Sequence, residues 1–229
     1  MNYQTLFETI KGYVENDFPN TSWTDSAGSG TATLTSTEQI NTFIQQAEQR
    51  IYNSIQLPAF RKNATGSCTL GNKYLSVPTD WKATFSLSVI DPDTNAQTYL
   101  LNKDVEFIRS CYPDPDAETW ATPEYYAIFD NNSFILGPTP DKNYGMELHY
   151  FYYPTSIVTA GTSWLGDNFD SVLLYGSLLE AYTFMKGEKD VIDGYKARYD
   201  EAMTLLLQLG EGKNRQDMYR TPQARYPVK

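Results

Sequence analysis

Apolar side chains recur every three to four residues in two segments near the start of the chain. This period predicts one helix near residues 2–16 and another near 36–56. Two overlapping residue pairs at the start of the second helix fit a capping box, and Pro58 ends it because proline cannot continue a helix. Those pairs are Thr35 with Glu38 and Ser36 with Gln39. Residues 19–35 separate the helices and are rich in Ser, Thr and Gly, which predicts a flexible loop.

Between about residues 61 and 155 the apolar positions alternate, which is the period of a strand with one buried face. The clearest hairpin is YYAIFDNNSFILGP, whose Asn131-Asn132 pair tolerates a tight turn. Two further strand pairs are predicted around Gly71-Asn72 and around the segment DPDTN, and MELHYFYYP is another strand. A short helix in NKDVEFIRSCYP, with Asn102 as its cap, interrupts them. We interpret residues 61–155 as a small, mainly antiparallel β domain.

The helical period returns near residues 168–186 and 189–209. The first of these helices, with Asn168 or Asp170 as its cap, is apolar nearly all round and is therefore expected to be buried on several sides. Gly210 and Gly212 follow the second helix, at positions where glycine commonly ends a helix. The two helices are predicted to form an α-hairpin.

The predicted fold class is α+β. It consists of an α-helical bundle of about four helices, an inserted small antiparallel β domain and an extended C-terminal tail. The predicted boundaries are 1–60 for the N-terminal helices, 61–155 for the β domain, 156–210 for the hairpin that completes the bundle and 211–229 for the tail.

Composition is typical of a folded protein with a substantial core, since 41% of the 229 residues are hydrophobic and 20% are charged. The sequence has neither an 18-residue apolar run nor the apolar block of a signal peptide at its start, so we expect synthesis in the cytoplasm and no membrane partner. Two cysteines, Cys68 and Cys111, are too few for a disulfide framework, and both are expected to be reduced and buried.

The net charge of −10 is distributed unevenly along the chain. Residues 1–210 carry 13 Lys/Arg and 26 Asp/Glu, whereas residues 211–229 carry 5 and 2. The acidic body is expected to repel nucleic acid, because affinity for phosphate comes from lysine and arginine. The short basic tail, with its two prolines, favours a protein partner.

Candidate catalytic and ligand-binding motifs are weak. GEGKNR follows a helix, whereas a phosphate-binding loop precedes one and needs Ser or Thr in place of Asn214. His149 is the only histidine and alternates with Glu147 and Phe151, as on a half-exposed strand. The DPD segments at 91–93 and 114–116 lack the spacing of a calcium loop. We therefore predict no enzyme, no cofactor and no metal site.

The residues leave two functional classes open, an enzyme and a binding module. One is a carbohydrate-degrading or cell-wall enzyme, since one sequence does not show which of its 28 carboxylates converge in the fold. The other is a receptor or sugar-binding module that uses the aromatic loops around four tryptophans. These are Trp23, Trp81, Trp120 and Trp164.

The order of these features resembles the adaptor proteins of tailed bacteriophages, the head-to-tail connector subunits that attach below the portal ring. The resemblance runs from residue 1 to about 220 and contains no catalytic motif. The stretches that carry it are MNYQTLFETIKGYVEND, FIQQAEQRIYNSIQLPAFRKNATG, YLSVPTDW, LLNKDVEFIRSCYP, PEYYAIFDNNSFILGPTPD, ELHYFYYP and SWLGDNFDSVLLYGSLLEAYTFMKGEKD.

This resemblance implies a structural virion protein of the neck. It would form a homo-oligomeric ring, usually of twelve copies, between the portal protein and the next tail or nozzle component. Genomic DNA would pass through the ring during ejection without specific binding, and the acidic body fits such a conduit.

Two sets of residues follow as candidate contacts in this ring. The helix at 169–186 is expected to pack against neighbouring subunits, and the tail at 211–229 is expected to dock on the portal protein. The subunit-packing residues are Leu174, Tyr175, Leu178 and Tyr182. The portal-binding residues are Arg215, Tyr219, Arg220, Arg225 and Tyr226.

Overall fold

The computed structural model describes residues 1–24, 31–113 and 116–215, and it divides the chain into two compact units. One unit is Met1–Ala59 together with Pro154–Lys229, and the other is Phe60–Tyr153. Within the described ranges the chain forms seven α-helices and ten strands in three sheets. The predicted fold class, a bundle of about four helices with one small β domain, is therefore wrong. Apolar periodicity detects long amphipathic helices but misses one-turn helices and short polar strands.

The helices and strands are numbered in chain order. The helices are α1 (Tyr3–Val14), α2 (Ser36–Ser54), α3 (Val105–Cys111), α4 (Ile157–Ala160), α5 (Trp164–Asn168), α6 (Asp170–Phe184) and α7 (Lys189–Arg215). The strands are β1 (Thr21–Thr24), β2 (Thr31–Leu34), β3 (Arg61–Cys68), β4 (Tyr74–Ser76), β5 (Trp81–Ile90), β6 (Gln97–Tyr99), β7 (Leu101–Asn102), β8 (Tyr125–Ile128), β9 (Ser133–Gly137) and β10 (Tyr144–Tyr152). Two 3₁₀ turns lie at Pro58–Phe60 and Ala117–Thr119.

The first two helices begin at side-chain caps. The side chain of Asn2 accepts a hydrogen bond from the amide of Thr5 at 2.9 Å and caps α1. The predicted capping box of Thr35 and Glu38 is confirmed at the start of α2, where Glu38 accepts from the Thr35 amide at 2.7 Å. The alternative pair that starts at Ser36 is not the cap, because Ser36 already lies inside the helix.

The segment predicted to be a flexible loop contains an antiparallel hairpin of β1 and β2, so that prediction is wrong for residues 21–24 and 31–34. Threonines supply β-branched side chains on both strands, and these favour extended backbone. The hydroxyls of Ser22 and Thr33 face each other across the pair at 3.0 Å. The Ser, Thr and Gly content led to the loop prediction, but threonine-rich segments can also pair as a short surface hairpin.

The core of the helical unit is centred on α6, which packs against α1, α2 and α7. Its buried side chains point in several directions, as its nearly continuous apolar sequence predicts. A Cβ atom at Gly176 would lie 3.2 Å from both Ala47 and Tyr199. The glycine therefore lets α2 and α7 approach α6 closely.

The entry to α6 differs from the prediction. Phe169 occupies the N-cap position and makes no side-chain cap, whereas Asp170 is already in the helix. Asn168 cannot serve, because it ends α5 and donates its side-chain amide to the carbonyl of Trp164 at 2.9 Å. Neither α4 nor α5 was predicted, since one turn of helix is too short for a period.

The last helix continues to Arg215, so the prediction that Gly210 and Gly212 end it is wrong. Gly210 is buried, and a Cβ atom there would lie 2.6 Å from a terminal carbon of Leu57. The lack of a side chain thus allows close packing in the middle of a helix. The helix, with 27 residues, extends about 40 Å at 1.5 Å per residue.

The second unit consists of two four-stranded sheets. The first has the order β3-β10-β5-β6 and is antiparallel, and the second has the order β4-β9-β8-β7 with β7 parallel to β8. A shared apolar cluster between them includes Leu87, Phe134, Tyr144 and Leu148. On the second sheet, Ile108 of α3 packs against Ala127 and Ile135.

Several local predictions in this unit are tested by the strand pairing. The hairpins β5-β6 and β8-β9 are confirmed, whereas β3 and β4 flank the predicted turn but belong to different sheets. Asp104, rather than the predicted Asn102, is the cap residue of α3, and Asn102 pairs in β7. Cys68 is buried as expected, but Cys111 at the end of α3 is exposed.

Candidate interaction surfaces

Four tyrosines, which we call the tyrosine cluster, meet where α1, α6 and α7 pack together. The ring of Tyr195 lies 6.4 Å from that of Tyr13, 6.2 Å from that of Tyr175 and 5.0 Å from that of Tyr182. The Tyr182 hydroxyl donates to the carbonyl of Tyr13 at 3.0 Å, which links α6 to α1. Arg198 donates to the Tyr175 hydroxyl at 3.4 Å. Large apolar rings with polar ends are typical of protein interfaces.

The environment of the tyrosine cluster changes the acidity of its central member. Partial burial is the larger cause, and the hydrogen bond with Tyr182 the next, that raises the pKa of Tyr195 to about 12. Its hydroxyl therefore stays protonated to a higher pH than that of an ordinary tyrosine and keeps its proton for a hydrogen bond. The outermost ring, that of Tyr13, is 47% exposed and remains available for contact.

The predicted subunit-packing residues divide between this surface and the core. Tyr175 and Tyr182 belong to the tyrosine cluster and are half-buried. Leu174 and Leu178 are buried in the core of their own unit, and Leu178 has no exposed surface. The structure thus brings the two tyrosines together at the surface and leaves the two leucines inside.

A second surface lies on α7, where Leu205 and Leu209 are 56% and 36% exposed. They are one helical turn apart and share a side of the helix, which we call the leucine flank. The adjacent Leu206 has no exposed surface and faces the core. The run MTLLLQL could have revealed this arrangement, because successive residues of a helix are 100° apart and three adjacent leucines cannot all face one core.

A groove of about 290 Å³ lies between α2 and α6, and it also includes Leu34 of β2. Its apolar wall is formed by Phe43 and Phe184, whose rings are 5.4 Å apart, and Phe184 is 55% exposed. Glu180 lines the polar side and pairs with Arg50. The helical unit therefore presents three partly apolar surfaces.

Of the predicted portal-binding residues, only Arg215 lies in the part of the chain that the structure describes. It is the last residue of α7. Tyr219, Arg220, Arg225 and Tyr226 lie outside the described residues. The structure therefore places the start of the predicted tail on a helix.

The two DPD segments do not form a metal site within the described residues, and Asp114 of the second segment lies outside them. Asp91 and Asp93 pair with Lys142 at 2.9 and 2.7 Å, and hydrogen bonds from Lys142 and the Asp93 amide lower the pKa of Asp91 to about 2. His149 lies with its ring 5.1 Å from that of Phe85. In the described ranges, no group of three His, Cys, Asp or Glu residues is arranged to hold a metal ion. Nor is any described helix long and apolar enough to cross a membrane.

The four tryptophans of the sugar-binding alternative are mostly engaged within the chain. Trp81 packs edge-on against Phe134 at 5.6 Å, Trp164 stacks on Phe169 at 5.9 Å, and Trp120 lies against Gly71. Trp23 on β1 is 50% exposed.

Comparison with known proteins gives one match over nearly the whole chain. The family model described as SU10 adaptor protein matches residues 1–226. Among curated proteins, none is similar enough to the chain to count as a match.

Proposed function

The chain belongs to the SU10 adaptor protein family, a family of structural phage head-to-tail adaptors, and on this basis we propose that its copies form a ring between the portal and the tail. An adaptor of this kind is part of the virion and contacts other head or tail components. In our proposal the ring contains twelve copies, one side binds the portal protein, and the other receives the next tail component.

The observation that carries this proposal is the leucine flank of α7. Two leucines, Leu205 and Leu209, remain 56% and 36% exposed on a helix whose other side is packed in the core. Complete burial of a leucine side chain contributes about 1.5–3 kcal/mol, so contact with a neighbouring subunit would stabilise a ring. We propose that this flank packs against a neighbouring copy.

The tyrosine cluster supports a second contact between subunits. Tyr175 and Tyr182 lie at the surface on α6, beside the exposed Tyr13 on α1. Tyrosine gives a large contact area at a low cost in side-chain entropy, because only two side-chain torsions have to be ordered. Arg198 at the edge of the cluster adds a cation that can pair with a carboxylate of the neighbouring copy.

The charge of the chain supports a passage for DNA. Residues 1–210 carry twice as many acidic as basic residues, and a lumen of this composition would not retain a polyanion. The basic residues are concentrated at 211–229, which we propose to be the segment that docks on the portal protein. Arg215 would start this contact at the end of α7.

The ring proposal is tested with the double variant Leu205→Ser and Leu209→Ser. Gln208→Ser, an exposed position on the same helix, serves as the matched control. Each protein is mixed with purified portal rings, and adaptor occupancy is measured by electron microscopy and sedimentation. We expect the control to assemble, whereas the double variant should remain folded, as judged by a cooperative unfolding transition, but should not assemble. Normal rings from the folded double variant would refute the contact.

The docking proposal is tested separately by ending the chain after Arg215. We expect the shortened protein to fold, because the described core of both units lies within residues 1–215. Binding to portal rings should be lost, whereas the leucine flank is retained. If the shortened protein binds portal rings normally, the C-terminal segment is not the docking element.

A further inference from the structure

One face of the sheet β3-β10-β5-β6 points away from the apolar core of its unit and carries a polar pocket. Side chains alternate along β10, so Met146 and Leu148 belong to the core cluster while Glu147 and His149 lie on the opposite face. The pocket has a volume of about 140 Å³. It is lined by Asn63, Ser86, Ser88, Tyr99, Glu147 and His149, and we call it the Glu147 pocket.

The carboxylate of Glu147 is held in place by two amides. Asn63 donates its side-chain NH₂ to Oε1 at 2.5 Å, and Gln97 donates to Oε2. A carboxylate only accepts hydrogen bonds, so each amide turns its NH₂ toward it and keeps a carbonyl oxygen as an acceptor. Within the described part of the chain, Glu147 forms no ion pair. The pocket therefore combines a positioned negative charge with several oxygen acceptors.

Aromatic rings lie at the pocket and beside it. Tyr99, part of the lining, is 63% exposed, and Phe85, whose ring contacts His149, is 52% exposed. On the same side of the sheet, the guanidinium of Arg61 lies 4.0 Å from the ring centre of Phe85. This side of the sheet thus holds one guanidinium of the same chain against an aromatic ring, whereas the exposed ring of Tyr99 lines the pocket itself.

We propose that the Glu147 pocket binds the guanidinium of an arginine side chain from a partner protein. A planar guanidinium offers five donors to the carboxylate and the surrounding oxygens, and it stacks on aromatic rings. Lysine offers a compact, strongly hydrated charge and fits this set of planar acceptors less well. The unit also favours a basic partner, since residues 60–153 carry seven Lys/Arg and twelve Asp/Glu.

This inference rests on the proposed function in one respect, since the partner would be another component of the phage head or tail. The pocket itself is a property of the single chain, so its binding can be measured without a ring.

The test uses the full chain and three small probes, the N-acetyl amides of arginine, lysine and citrulline. Binding is followed by NMR shifts of the Glu147 and His149 amides. We expect arginine to bind at least about tenfold more tightly than citrulline, which has the same shape without the charge, and more tightly than lysine. Glu147→Gln should weaken arginine binding at least tenfold, whereas Glu106→Gln on the exposed surface of α3 should not change it.

The second variant, Tyr99→Ala, removes an exposed ring and is expected to weaken arginine binding several-fold while the chain remains folded. Equal binding of arginine and citrulline, or full binding by a folded Glu147→Gln protein, would overturn the proposal. Shifts with methyl α-glucoside but not with arginine would identify a saccharide site instead and would also overturn it. Because no portal is present, failure here leaves the ring proposal untouched, and failure of ring assembly leaves this result untouched.

Discussion

Two adjacent leucines on α7 are expected to have opposite roles, and substitution of each by alanine separates them. Leu206 has no exposed surface, whereas Leu205 is 56% exposed. Leu206→Ala removes fully buried carbons and leaves a cavity, which should lower the free energy of unfolding by about 3 kcal/mol, within a usual range of about 2–5. Leu205→Ala removes side-chain carbons that are mostly in water already, so its loss should stay below about 1 kcal/mol.

Thermal and urea unfolding of the isolated proteins measure this difference. For a chain of this size, about 1 kcal/mol corresponds to roughly 2–4 °C in melting temperature, so Leu206→Ala should melt about 6–12 °C below the parent protein. Leu205→Ala should melt within about 4 °C of it. Portal-ring assembly gives the complementary measurement, in which Leu205→Ala is impaired in proportion to the lost contact.

Similar destabilisation by both substitutions would show that α7 is oriented differently from the arrangement described. A destabilised Leu205→Ala protein that assembles normally would also remove the leucine flank from the interface. Since both changes are Leu→Ala on neighbouring residues of one helix, helix propensity cancels in the comparison.

Three further predictions concern charged and capping groups. Burial raises the pKa of Glu48, whose carboxylate accepts a 2.9 Å hydrogen bond from the Ile157 amide, so folding favours its protonated form. The contribution of Glu48 to the free energy of unfolding is therefore greatest at low pH and is lost as the pH rises through the raised pKa. Glu48→Gln has no such pH dependence, so its stability relative to the parent protein should increase between pH 4 and 7. A constant difference in urea unfolding over this range would contradict the prediction. Lys142 and the amide of Asp93 lower the pKa of Asp91 to about 2, and NMR titration of Lys142→Met should show this pKa return toward 3.8. In the parent protein the ionised Asp91 contributes to stability above about pH 4, and this contribution should be lost as the pH falls through about 2. Thr35→Ala should destabilise the protein by about 1 kcal/mol in thermal unfolding, whereas Thr35→Ser should retain most of the stability because a hydroxyl still caps α2.

Long elements with strong local signals were predictable. The capping box at Thr35 and Glu38, the continuous apolar surface of α6 and the hairpin around Asn131-Asn132 each depend on neighbours in the chain. Local hydrogen bonds and helical or strand periodicity are encoded within a few residues, so the sequence alone indicates them.

The pairing and packing of distant segments were not predictable in the same way. Whether β3 and β4 form a hairpin depends on β10 and β9, which compete for the same backbone groups from more than fifty residues away. The exposure of the tyrosine cluster could not be predicted either. Tyr13 and Tyr195 have the helical spacing typical of core residues, and only the packing of α1 against α6 and α7 leaves them partly exposed. The side chains that line the Glu147 pocket come from four strands, and the sequence holds no local motif for that pocket.

The sequence by itself determined the acidic body, the approximate positions of the four long helices, the hairpins β5-β6 and β8-β9, and the resemblance to phage adaptors. It wrongly indicated that α7 ends at Gly210 and Gly212, because a glycine after an apolar run is typical of a helix end as well as of a close helix contact. The tertiary structure shows that Gly210 serves a close packing contact inside α7, since Leu57 occupies the space that a side chain at residue 210 would need. The residue type limits which backbone conformations are permitted, as glycine does here, and contacts with the rest of the fold select one of them.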